Sequence, residues 1–559
     1  MSDSSTEGER LDAYHFYERE WESYDQLRAA FEWEVPERFN IAAFVCDRWA
    51  TDPDRTAIHA ETAAGDRRVY GFRDLYEMAN GLANYLAAQG VERGDRVGVN
   101  LPQKPETAVA HLACWKLGAV SVPLSVKFGP DALGYRLEDS GAVACVVDAV
   151  NVEALREVRP SLPALETTLT VDAEPTAEER DLASAIADRS TTFETADTAA
   201  EDPAIIIYTS GTTGDPKGVL HAHRFFLGHL PLFLTDFCNV ELRDEDVFWL
   251  PSEWSWIAVF DIVFPAWFYG KPVVAYQADG FDPAAAFELI DRYDVTVTFI
   301  PPTALRMMKT IEDTDAYDLG SLRTIAAGGE ALDRDTFEWA FETFGEDVAV
   351  HEGYGQTEAN MLVANCTALA DYKIGKLGLP GPGHELAILD PESAEPTVPT
   401  GEVGEIGVRY EGDPVCFLEY WNKPERTDAK IENGWLLTGD LGWVDEDGYY
   451  AFESRKDDVI ISAGYRISPE EIEETLTGHP AVAQAGVVGV PDAERGEVPK
   501  AFIELAPGRE GTGGLRAELQ DHVKSRLARY EYPREIVVRE ELPRTTTGKV
   551  RRSALTDEE

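Results

Sequence analysis

The sequence predicts an α/β protein with a large N-terminal domain of βαβ layers, a small β-rich subdomain and a small C-terminal α+β domain. Helical and strand patterns alternate between residues 73 and 350, which is typical of parallel sheets covered by helices. Short segments separated by Gly turns follow between residues 380 and 452 and favour the β-rich subdomain. Because 559 residues exceed what one hydrophobic core accommodates, several domains are expected.

The spacing of apolar residues places the individual elements. The N-terminal segment is expected to be largely helical, and further helices are predicted at residues 41–49, 73–89 and 107–116. Strands are predicted at residues 97–100, 118–122, 143–147 and 204–207. Residues 174–203, rich in Glu, Asp, Thr and Ala, predict a surface connection. Near the C-terminus we expect helices at 470–476 and 515–527 and strands at 485–490 and 501–505.

The charge balance is strongly acidic, since 102 Asp and Glu stand against 50 Lys and Arg, a net charge of −52. This field repels nucleic-acid phosphates and anionic membranes, so neither is an expected partner. With 44% apolar residues, the chain does not have the low hydrophobicity of a disordered chain. The composition resembles that of halophilic proteins, in which molar salt shortens the Debye length to about 3 Å and screens the carboxylates.

The cysteines and the N-terminus favour a cytoplasmic protein. The six cysteines are scattered without a C-x-x-C pair, which disfavours a zinc site or a disulfide framework and suits a reducing compartment. The first residues, Met1-Ser-Asp-Ser-Ser-Thr-Glu, are polar and acidic, so no signal peptide is expected. The longest apolar region, residues 257–276, is interrupted by Asp261, Pro265 and Lys271 and predicts a buried core segment, not a membrane span.

Residues 208–218, Tyr-Thr-Ser-Gly-Thr-Thr-Gly-Asp-Pro-Lys-Gly, follow an apolar strand and predict a loop that binds a polyphosphate. Glycines let backbone N–H groups approach a phosphate, hydroxyls add donors, and Lys217 adds a positive charge. A Gly-rich loop that merely ends a core strand is the simpler alternative. The Walker P-loop does not fit, because Gly218 stands where that motif has a Ser or Thr for Mg²⁺.

Five further motifs follow in order downstream. They are Ala327-Gly-Gly-Glu-Ala331, Tyr354-Gly-Gln-Thr-Glu358, Thr438-Gly-Asp440, Ala463-Gly-Tyr-Arg-Ile-Ser468 and Pro543-Arg-Thr-Thr-Thr-Gly-Lys549. Together with the phosphate loop, they resemble the signature motifs of the adenylate-forming superfamily of acyl-CoA synthetases, luciferases and adenylation domains. The resemblance covers nearly the whole chain and is closest to the medium-chain acyl-CoA synthetases.

The resemblance implies a site for ATP and Mg²⁺. The residues that it assigns to ATP are Thr209, Ser210, Gly211, Thr212, Thr213, Gly214, Lys217, Gly329, Glu330, Ala331, Tyr354, Gly355, Gln356, Thr357, Asp440 and Arg455. Glu358 and Thr212 are the implied metal ligands, and their oxygens suit a hard cation such as Mg²⁺. Asp440 is implied to accept hydrogen bonds from both ribose hydroxyls, a task for an acceptor-only carboxylate.

The resemblance also implies a mobile C-terminal domain. It predicts an adenylation domain at 1–453, a hinge at 454–457 that turns at Asp457, and a C-terminal domain at 458–559. Ala463, Gly464, Tyr465 and Arg466 would contact coenzyme A. Lys217, Glu358 and Lys549 are the implied catalytic residues, and Lys549 would stabilise the charge that develops during adenylation.

The implied reaction is a two-step ligation. A small carboxylic acid attacks the α-phosphate of ATP to give an acyl-adenylate and diphosphate, and the thiol of coenzyme A then displaces AMP. Positioning and charge neutralisation supply most of the catalysis. Two alternative functions remain: an adenylation enzyme that loads a separate carrier protein, and a binding protein with a decayed site. The second is disfavoured because Lys217, Glu358, Asp440 and Lys549 are retained.

The acid is predicted from three residues. Gly355 stands where acetate-specific relatives carry Trp, which predicts a deeper pocket for short- to medium-chain fatty acids. Trp254 and Trp256 are expected near that pocket, where they would restrict it to short or branched acids, and core aromatics are the alternative. Because each methylene contributes only about 1–3 kcal/mol to discrimination, acetate and propionate stay open as substrates. The sequence does not predict an oligomeric state.

The acidic composition predicts that the protein depends on salt. Lowering KCl from molar concentration to about 0.1 M lengthens the Debye length to about 10 Å, so carboxylate repulsion is expected to lower the melting temperature and the activity. Circular dichroism melting curves and activity across a KCl series measure this effect. Identical curves and full activity in dilute buffer would contradict it.

Overall fold

The computed structural model describes residues 10–209, 216–330, 332–456, 458–462, 465–492, 495–509, 511, 513–527, 531–544 and 549–556. The chain forms two compact units. Of the described residues, the first unit contains those up to 385 together with 410–429, and the second contains 386–409 and those from 430 onward. Both units combine sheets with helices, as the sequence predicts.

The described strands are, in chain order, β1 (Thr56–Thr62), β2 (Arg67–Gly71), β3 (Arg96–Asn100), β4 (Val120–Pro123), β5 (Ala144–Asp148), β6 (Thr167–Val171), β7 (Arg180–Asp181), β8 (Pro203–Thr209), β9 (Lys217–Ala222), β10 (Phe248–Trp249), β11 (Val273–Gln277), β12 (Val297–Phe299), β13 (Thr324–Gly328), β14 (Ala349–Gln356), β15 (Asn360–Ala364), β16 (Leu379–Pro380), β17 (Leu386–Leu389), β18 (Gly404–Arg409), β19 (Glu419–Tyr420), β20 (Ile431–Glu432), β21 (Trp435–Val444), β22 (Tyr450–Arg455), β23 (Ile460–Ser462), β24 (Tyr465–Ile467), β25 (Val482–Asp492), β26 (Gly496–Leu505) and β27 (Glu535–Arg539).

The described α-helices are α1 (Tyr24–Ala30), α2 (Ile41–Val45), α3 (Phe72–Ala88), α4 (Pro105–Leu117), α5 (Pro130–Ser140), α6 (Val152–Val158), α7 (Leu182–Ala187), α8 (Phe225–Leu232), α9 (Phe264–Phe268), α10 (Pro283–Tyr293), α11 (Pro302–Met308), α12 (Arg334–Phe344), α13 (Pro424–Lys430), α14 (Pro469–Thr477), α15 (Gly513–Lys524) and α16 (Arg552–Thr556). A seven-residue 3₁₀ segment lies at Asp12–Glu18, and single 3₁₀ turns lie at Asp47–Trp49, Arg159–Ser161 and Thr314–Ala316. Two π-helical turns lie at Phe233–Phe237 and Val259–Val263.

Two large sheets form the first unit. One has the order β16-β15-β14-β13-β12-β10-β11-β1-β2 and is parallel from β14 to β1. The other has the order β19-β9-β8-β4-β3-β5-β6-β7 and is parallel from β8 to β7. The edge strands of each sheet beyond these ranges pair antiparallel. The parallel centres are those expected from alternating helices and strands.

A large aromatic core fills the first unit. Trp115 of α4 and Trp267 of α9 are fully buried, and each indole N–H finds a carbonyl, Trp115 at Ala204 and Trp267 at Ala57, both at 3.0 Å. These hydrogen bonds satisfy the indole N–H groups, so both rings can be buried in the apolar core without an unpaired donor. Residues 258–271 are buried, which confirms the core segment predicted there. Among the described residues, no helix combines the length and apolarity needed to cross a bilayer.

Two predicted segments differ from the structure. The helix expected at 41–49 stops at Val45, because Cys46 leaves helical geometry and a 3₁₀ turn follows, held by a 2.7 Å bond from the Trp49 indole to the Trp267 carbonyl. The surface connection expected at 174–203 contains β7 and α7, whose first turn is capped by Asp181. Tertiary contacts and helix capping determine where these elements begin and end, and the spacing of apolar residues carries no information about either.

Two five-stranded sheets form the second unit. The β-rich part has the order β17-β18-β21-β20, with β22 on β21, and the C-terminal part has the order β24-β23-β26-β25, with β27 on β26. The predicted elements near the C-terminus are present as α14, α15, β25 and β26. Helix α16 is held by Arg552, whose guanidinium bonds Glu473 and Asp458 at 2.6 Å. The terminal Arg552 is therefore a structural ion-pair residue.

Acidic side chains crowd one face of helix α14. Burial raises the pKa of Glu471 to about 7, and the neighbouring carboxylates of Glu453 and Glu531 add to the rise. Burial also raises the pKa of Glu453. Ionising this face therefore works against folding.

Glu471→Gln tests this effect on stability. Because the folded pKa lies above the ordinary value of 4.5, stability is fully present below that pH and is lost as the pH rises through about 7. The variant is expected to flatten this loss and to raise the melting temperature above pH 7. Melting curves between pH 4 and 8 measure it, with Glu540→Gln, an exposed glutamate, as control. The same pH dependence in wild type and Glu471→Gln would contradict the assignment.

Candidate functional site

The carboxyl ends of β13 and β14 bring two of the predicted motifs together. These strands are parallel neighbours, with Gly328 paired to Gly353, so both chains leave the sheet at the same edge. Such an edge is where α/β sheets bind ligands. Gly329 follows with φ of +87°, a conformation that favours glycine. The segments 327–330 and 354–358 therefore lie side by side, as a shared nucleotide site requires.

The carboxylate of Glu330 is engaged with helix α11. Its two oxygens accept hydrogen bonds from the hydroxyl of Thr303 at 2.7 Å and from the guanidinium of Arg306 at 2.8 Å. These bonds fix the turn that follows Gly329. Ala331, the last residue of this motif, lies outside the described residues.

Gly355 lies where two backbones approach closely. A Cβ atom at this position would be 2.3 Å from the carbonyl oxygen of Asn360 and 2.6 Å from the Cα of Met361. The turn from β14 to β15 therefore requires glycine regardless of the ligand. The deeper pocket expected from Gly355 stays a prediction, since the space beside this residue is occupied by the backbone of its own hairpin.

Lys217 and Glu358 meet at one tyrosine. The hydroxyl of Tyr420 donates a 2.5 Å hydrogen bond to the Oε1 atom of Glu358. The ammonium of Lys217 lies 4.5 Å from the centre of the Tyr420 ring, within cation–π range. Both Glu358 and Tyr420 are buried. The phosphate-loop lysine and the predicted metal ligand thus share one positioning side chain.

The local fold explains why Tyr420 reaches this place. Strand β19 pairs with β9, placing Tyr420 opposite Val219, two residues from Lys217. The N–H of Phe417 donates to the carbonyl of Glu358 at 2.8 Å, which ties the same segment to the end of the 354–358 motif. Sequence analysis missed Tyr420. The aromatic run at 417–421 was the available signal, and nothing in its spacing distinguishes it from a core strand.

The donor set around Glu358 fits Mg²⁺ held together with phosphate. Within the described ranges, no three His, Cys, Asp or Glu side chains gather as a protein-only metal cage. Magnesium is commonly held by one or two carboxylates with substrate phosphates and water. A single buried carboxylate beside the phosphate-loop lysine matches that pattern. Thr212, the second predicted ligand, lies outside the described residues.

The two tryptophans of the predicted acyl pocket differ in burial. Trp254 is 1% exposed and packs edge-on against Trp267 at 6.3 Å between ring centres, whereas Trp256 is half-buried and packs edge-on against Phe128 at the same separation. Trp254 thus joins the aromatic core, and Trp256 keeps a surface that a ligand can contact. Their roles toward an acyl group stay predictions.

The predicted ribose residues lie together in the second unit. Strands β21 and β22 place Asp440 opposite Arg455, and the guanidinium bonds the carboxylate at 2.7 Å. The hydroxyl of Thr438 accepts a 3.1 Å bond from the Asp440 N–H and donates one of 2.6 Å to the Ile406 carbonyl. Lys549 is exposed in the same unit.

Several predicted residues cannot be placed. The backbone or the side chain falls outside the described residues for Ser210, Gly211, Thr212, Thr213, Gly214, Ala331, Asp457, Ala463, Gly464, Tyr465 and Arg466. Thr209 ends β8, Gln356 ends β14, and Thr357 lies between Gln356 and Glu358. The Nε2 atom of Gln356 is buried without a hydrogen-bond partner among the described residues. An unpartnered buried donor in this motif is consistent with a ligand contact.

Comparisons with known proteins agree with this arrangement. The family model described as AMP-binding enzyme matches residues 46–421, and that described as AMP-binding enzyme C-terminal domain matches residues 471–549. The chain is 36% identical to the mitochondrial acyl-coenzyme A synthetase ACSM4 of Mus musculus, over 94% of this chain and 91% of that one. It is 34% identical to the uncharacterized acyl-CoA ligase YtcI of Bacillus subtilis, over 93% and 96%.

Solved structures show the same fold. The anthranilate CoA ligase AuaEII in complex with anthranoyl-AMP matches with a TM-score of 0.84 and 30% identity, over 94% of this chain and 98% of that one. The Brucella canis acyl-CoA synthetase matches with a TM-score of 0.74 and 32% identity, over 96% and 98%. The α/β fold class predicted from the sequence is confirmed.

Tyr420→Phe tests the positioning of Glu358. The variant keeps the ring beside Lys217 but removes the hydroxyl, and a lost bond to a buried carboxylate is expected to weaken ATP binding in the presence of Mg²⁺ about tenfold. Isothermal titration calorimetry with and without Mg²⁺ measures this, and the weakening is expected only with the metal.

Tyr410→Phe is the matched control, because its hydroxyl bonds the Phe417 carbonyl at 3.1 Å in the same unit. Equal affinity of wild type and Tyr420→Phe for ATP with Mg²⁺ would contradict the role of Tyr420. Equal weakening in both variants would show a general loss of structure instead.

Proposed function

Because this chain belongs to the family of AMP-binding enzymes, we propose that it is an AMP-forming acyl-CoA synthetase. It joins a carboxylic acid to coenzyme A, consumes ATP and releases AMP and diphosphate, with an acyl-adenylate as intermediate. The observation that carries this proposal is the meeting of Lys217 and Glu358 at Tyr420. The Lys217 ammonium can bind phosphate oxygens, and the Glu358 carboxylate can bind the Mg²⁺ that accompanies them. Together with the Gly-rich loop sequence, this pair favours a triphosphate as ligand.

The first step uses the residues of the first unit. Lys217 places a positive charge beside the phosphates, and the turns at 328–330 and 354–358 provide backbone groups to the nucleotide. Glu358 would hold Mg²⁺, which neutralises charge on the phosphate oxygens when bound. With the nucleotide fixed, the acid carboxylate needs only to be aligned with the α-phosphate, so positioning supplies much of the rate.

The family motifs assign the remaining roles to Asp440, Arg455, Lys549 and residues 463–466. Asp440, held by Arg455, offers a carboxylate to the ribose hydroxyls, and Lys549 meets the charge that develops on the α-phosphate and the acid. Residues 463–466 contact coenzyme A in the second step, after rotation at Asp457. The domain boundaries 1–453, 454–457 and 458–559 belong to this proposal.

The substrate range is that of short- to medium-chain fatty acids. Support comes from the acyl-CoA synthetases among the relatives and from Gly355, which leaves the site without a tryptophan wall. The partners are small molecules, namely the acid, ATP and coenzyme A, and the acidic charge of the chain disfavours nucleic acid. We place the enzyme in the cytoplasm of a salt-accumulating cell, on its cysteine pattern and its composition.

AMP release tests the proposed activity. The assay contains molar KCl, Mg²⁺, ATP and coenzyme A, with straight-chain acids from acetate to decanoate, isobutyrate and benzoate. We expect CoA-dependent AMP release with a maximum at about four to eight carbons, by analogy with related pockets. A maximum at acetate or propionate would mean that Trp254 or another side chain fills the pocket. No CoA-dependent AMP with any acid would overturn the proposal and favour a carrier-loading adenylation enzyme.

Lys549→Ala separates the two steps. Loss of a charge that acts in the adenylation transition state is expected to lower adenylate formation by about 10²–10³-fold and to leave thioester formation from supplied acyl-adenylate nearly unchanged. Single-turnover assays of each step measure this. Arg551→Ala, at an exposed cation two residues away, is the control. Equal loss of both steps in Lys549→Ala would refute the role given to Lys549.

A further inference from the structure

Two buried carboxyl groups lie on the two π-helical turns of the first unit. Asp236 is on the turn Phe233–Phe237, and Asp261 is on the turn Val259–Val263. Asp236 is fully buried, and Asp261 is 7% exposed. A π-helical turn is rare and often marks a functional site. A buried carboxyl group on each of two such turns therefore indicates a functional role. The reaction described above uses neither residue.

Asp261 holds a buried histidine in a defined orientation. The Nδ1 atom of His229, on helix α8, lies 2.8 Å from the Oδ1 atom of Asp261. His229 is 1% exposed, and its Nε2 atom is buried with no hydrogen-bond partner in the part of the chain that the structure describes. When Nδ1–H donates a hydrogen bond to this carboxylate, the tautomer that carries its only proton on Nδ1 presents a lone pair at Nε2.

Other buried polar atoms near the His229–Asp261 pair also lack hydrogen-bond partners. Within the described residues, the Oδ2 atom of Asp236 and both ring nitrogens of His221 are buried and meet no partner in hydrogen-bond geometry. The ring of His221 stacks on Phe225 at 4.6 Å, and Phe225 contacts His229 at 5.3 Å between centres. Burial lowers the pKa of His221 to about 3, and the nearby Thr357 backbone only partly offsets this. His221 is therefore neutral.

This polar cluster lies directly behind the hairpin that carries the 354–358 motif. A Cβ atom on Gly353 would be 3.3 Å from the Oδ2 atom of Asp236. A Cβ atom on Gly228, the neighbour of His229, would be 2.5 Å from the Nδ2 atom of Asn360. Asn360 is also the residue whose carbonyl packs against Gly355. Asp236 and Gly228, the residue before His229, thus adjoin the hairpin that carries Gly355.

Buried polar atoms without partners are costly, so a native protein rarely keeps several together unless water or a ligand satisfies them. A pocket built only for alkyl chains gains nothing from such atoms. We infer that the preferred acid carries a hydroxyl or amino group on its acyl part, and that this group donates a hydrogen bond to the Nε2 atom of His229. The inference rests on the proposed synthetase function and names its substrate class.

The carboxyl groups of Asp236 and Asp261 distinguish between acids with a second charge and acids with a neutral polar group. A second carboxylate on the acid would be buried beside the carboxyl groups of Asp236 and Asp261, whose described ion-pair contacts are to histidines and include no Lys or Arg. A dicarboxylic acid is therefore disfavoured by the cost of desolvating its second charge. A hydroxyl or amino group carries no such charge and can donate to an unpartnered acceptor such as Nε2 of His229.

Isosteric pairs of acids test the inference on the wild-type enzyme. The assay compares kcat/KM for 4-hydroxybutanoate with pentanoate, 6-hydroxyhexanoate with heptanoate, 4-hydroxybenzoate with 4-methylbenzoate, and 2-aminobenzoate with 2-methylbenzoate. We expect at least one polar member to exceed its methyl partner by about tenfold or more, because the methyl group leaves Nε2 unpartnered. If every methyl partner is used as well or better, the inference is overturned while the synthetase function stands.

Variants of His229 assign the preference to its side chain. His229→Phe removes both nitrogens, and His229→Asn keeps a donor for Asp261 but loses the Nε2 acceptor. Each is expected to abolish the preference, because neither replacement offers the Nε2 acceptor, and kcat/KM for both members of each pair is measured to show it. Melting curves identify a variant that fails to fold, and the wild-type comparison does not depend on either.

His111→Phe is the matched control. His111 is also buried with both nitrogens unpartnered among the described residues, but it stacks against Trp115 and no carboxylate holds it. Its replacement is expected to leave the preference unchanged. An equal loss of preference in His111→Phe, or a preference that survives in folded His229→Asn, would overturn the inference. Absence of CoA-dependent AMP with every acid would instead overturn the synthetase function on which it rests.

Discussion

The hydrogen bond from Tyr420 to Glu358 is the contact on which the candidate site depends. Glu358 follows β14 of the nine-stranded sheet, whereas Tyr420 lies in β19 of the eight-stranded sheet, next to the β9 strand that begins at Lys217. One side chain therefore joins the two sheets at the place where Lys217 and Glu358, the proposed phosphate and metal residues, come together. Because the bond is buried, it is worth more than the same contact in water.

Close backbone approach is the second constraint on this region. Gly355 is required by the turn between β14 and β15, whatever ligand is bound. By the family resemblance, the same position is also expected to shape the acyl pocket, because acetate-specific relatives carry tryptophan there. One residue thus serves both the turn and the expected pocket, so a larger side chain here would move β15 and with it the contacts of Asn360.

The sequence predicted the fold class and the order of the motifs because these depend on local patterns. Helices α3 and α14 follow the expected apolar spacing, and the parallel strands follow the alternation of elements. It did not predict Tyr420, which is 62 residues from Glu358, or the pairing of His229 with Asp261, 32 residues away. Long-range side-chain pairs depend on how the sheets pack, and periodicity carries no information about that packing. Helix α2 ended early for the same reason.

The most direct test of the account is acid-dependent exchange of labelled diphosphate into ATP without coenzyme A. If Lys217, Tyr420 and Glu358 form an adenylation site, wild-type enzyme exchanges diphosphate when a substrate acid is present. Glu358→Gln is expected to lose at least about 10²-fold of that exchange, as expected when a charge that stabilises the transition state is removed. Exchange that needs coenzyme A, or that is undiminished in Glu358→Gln, would contradict the central claim.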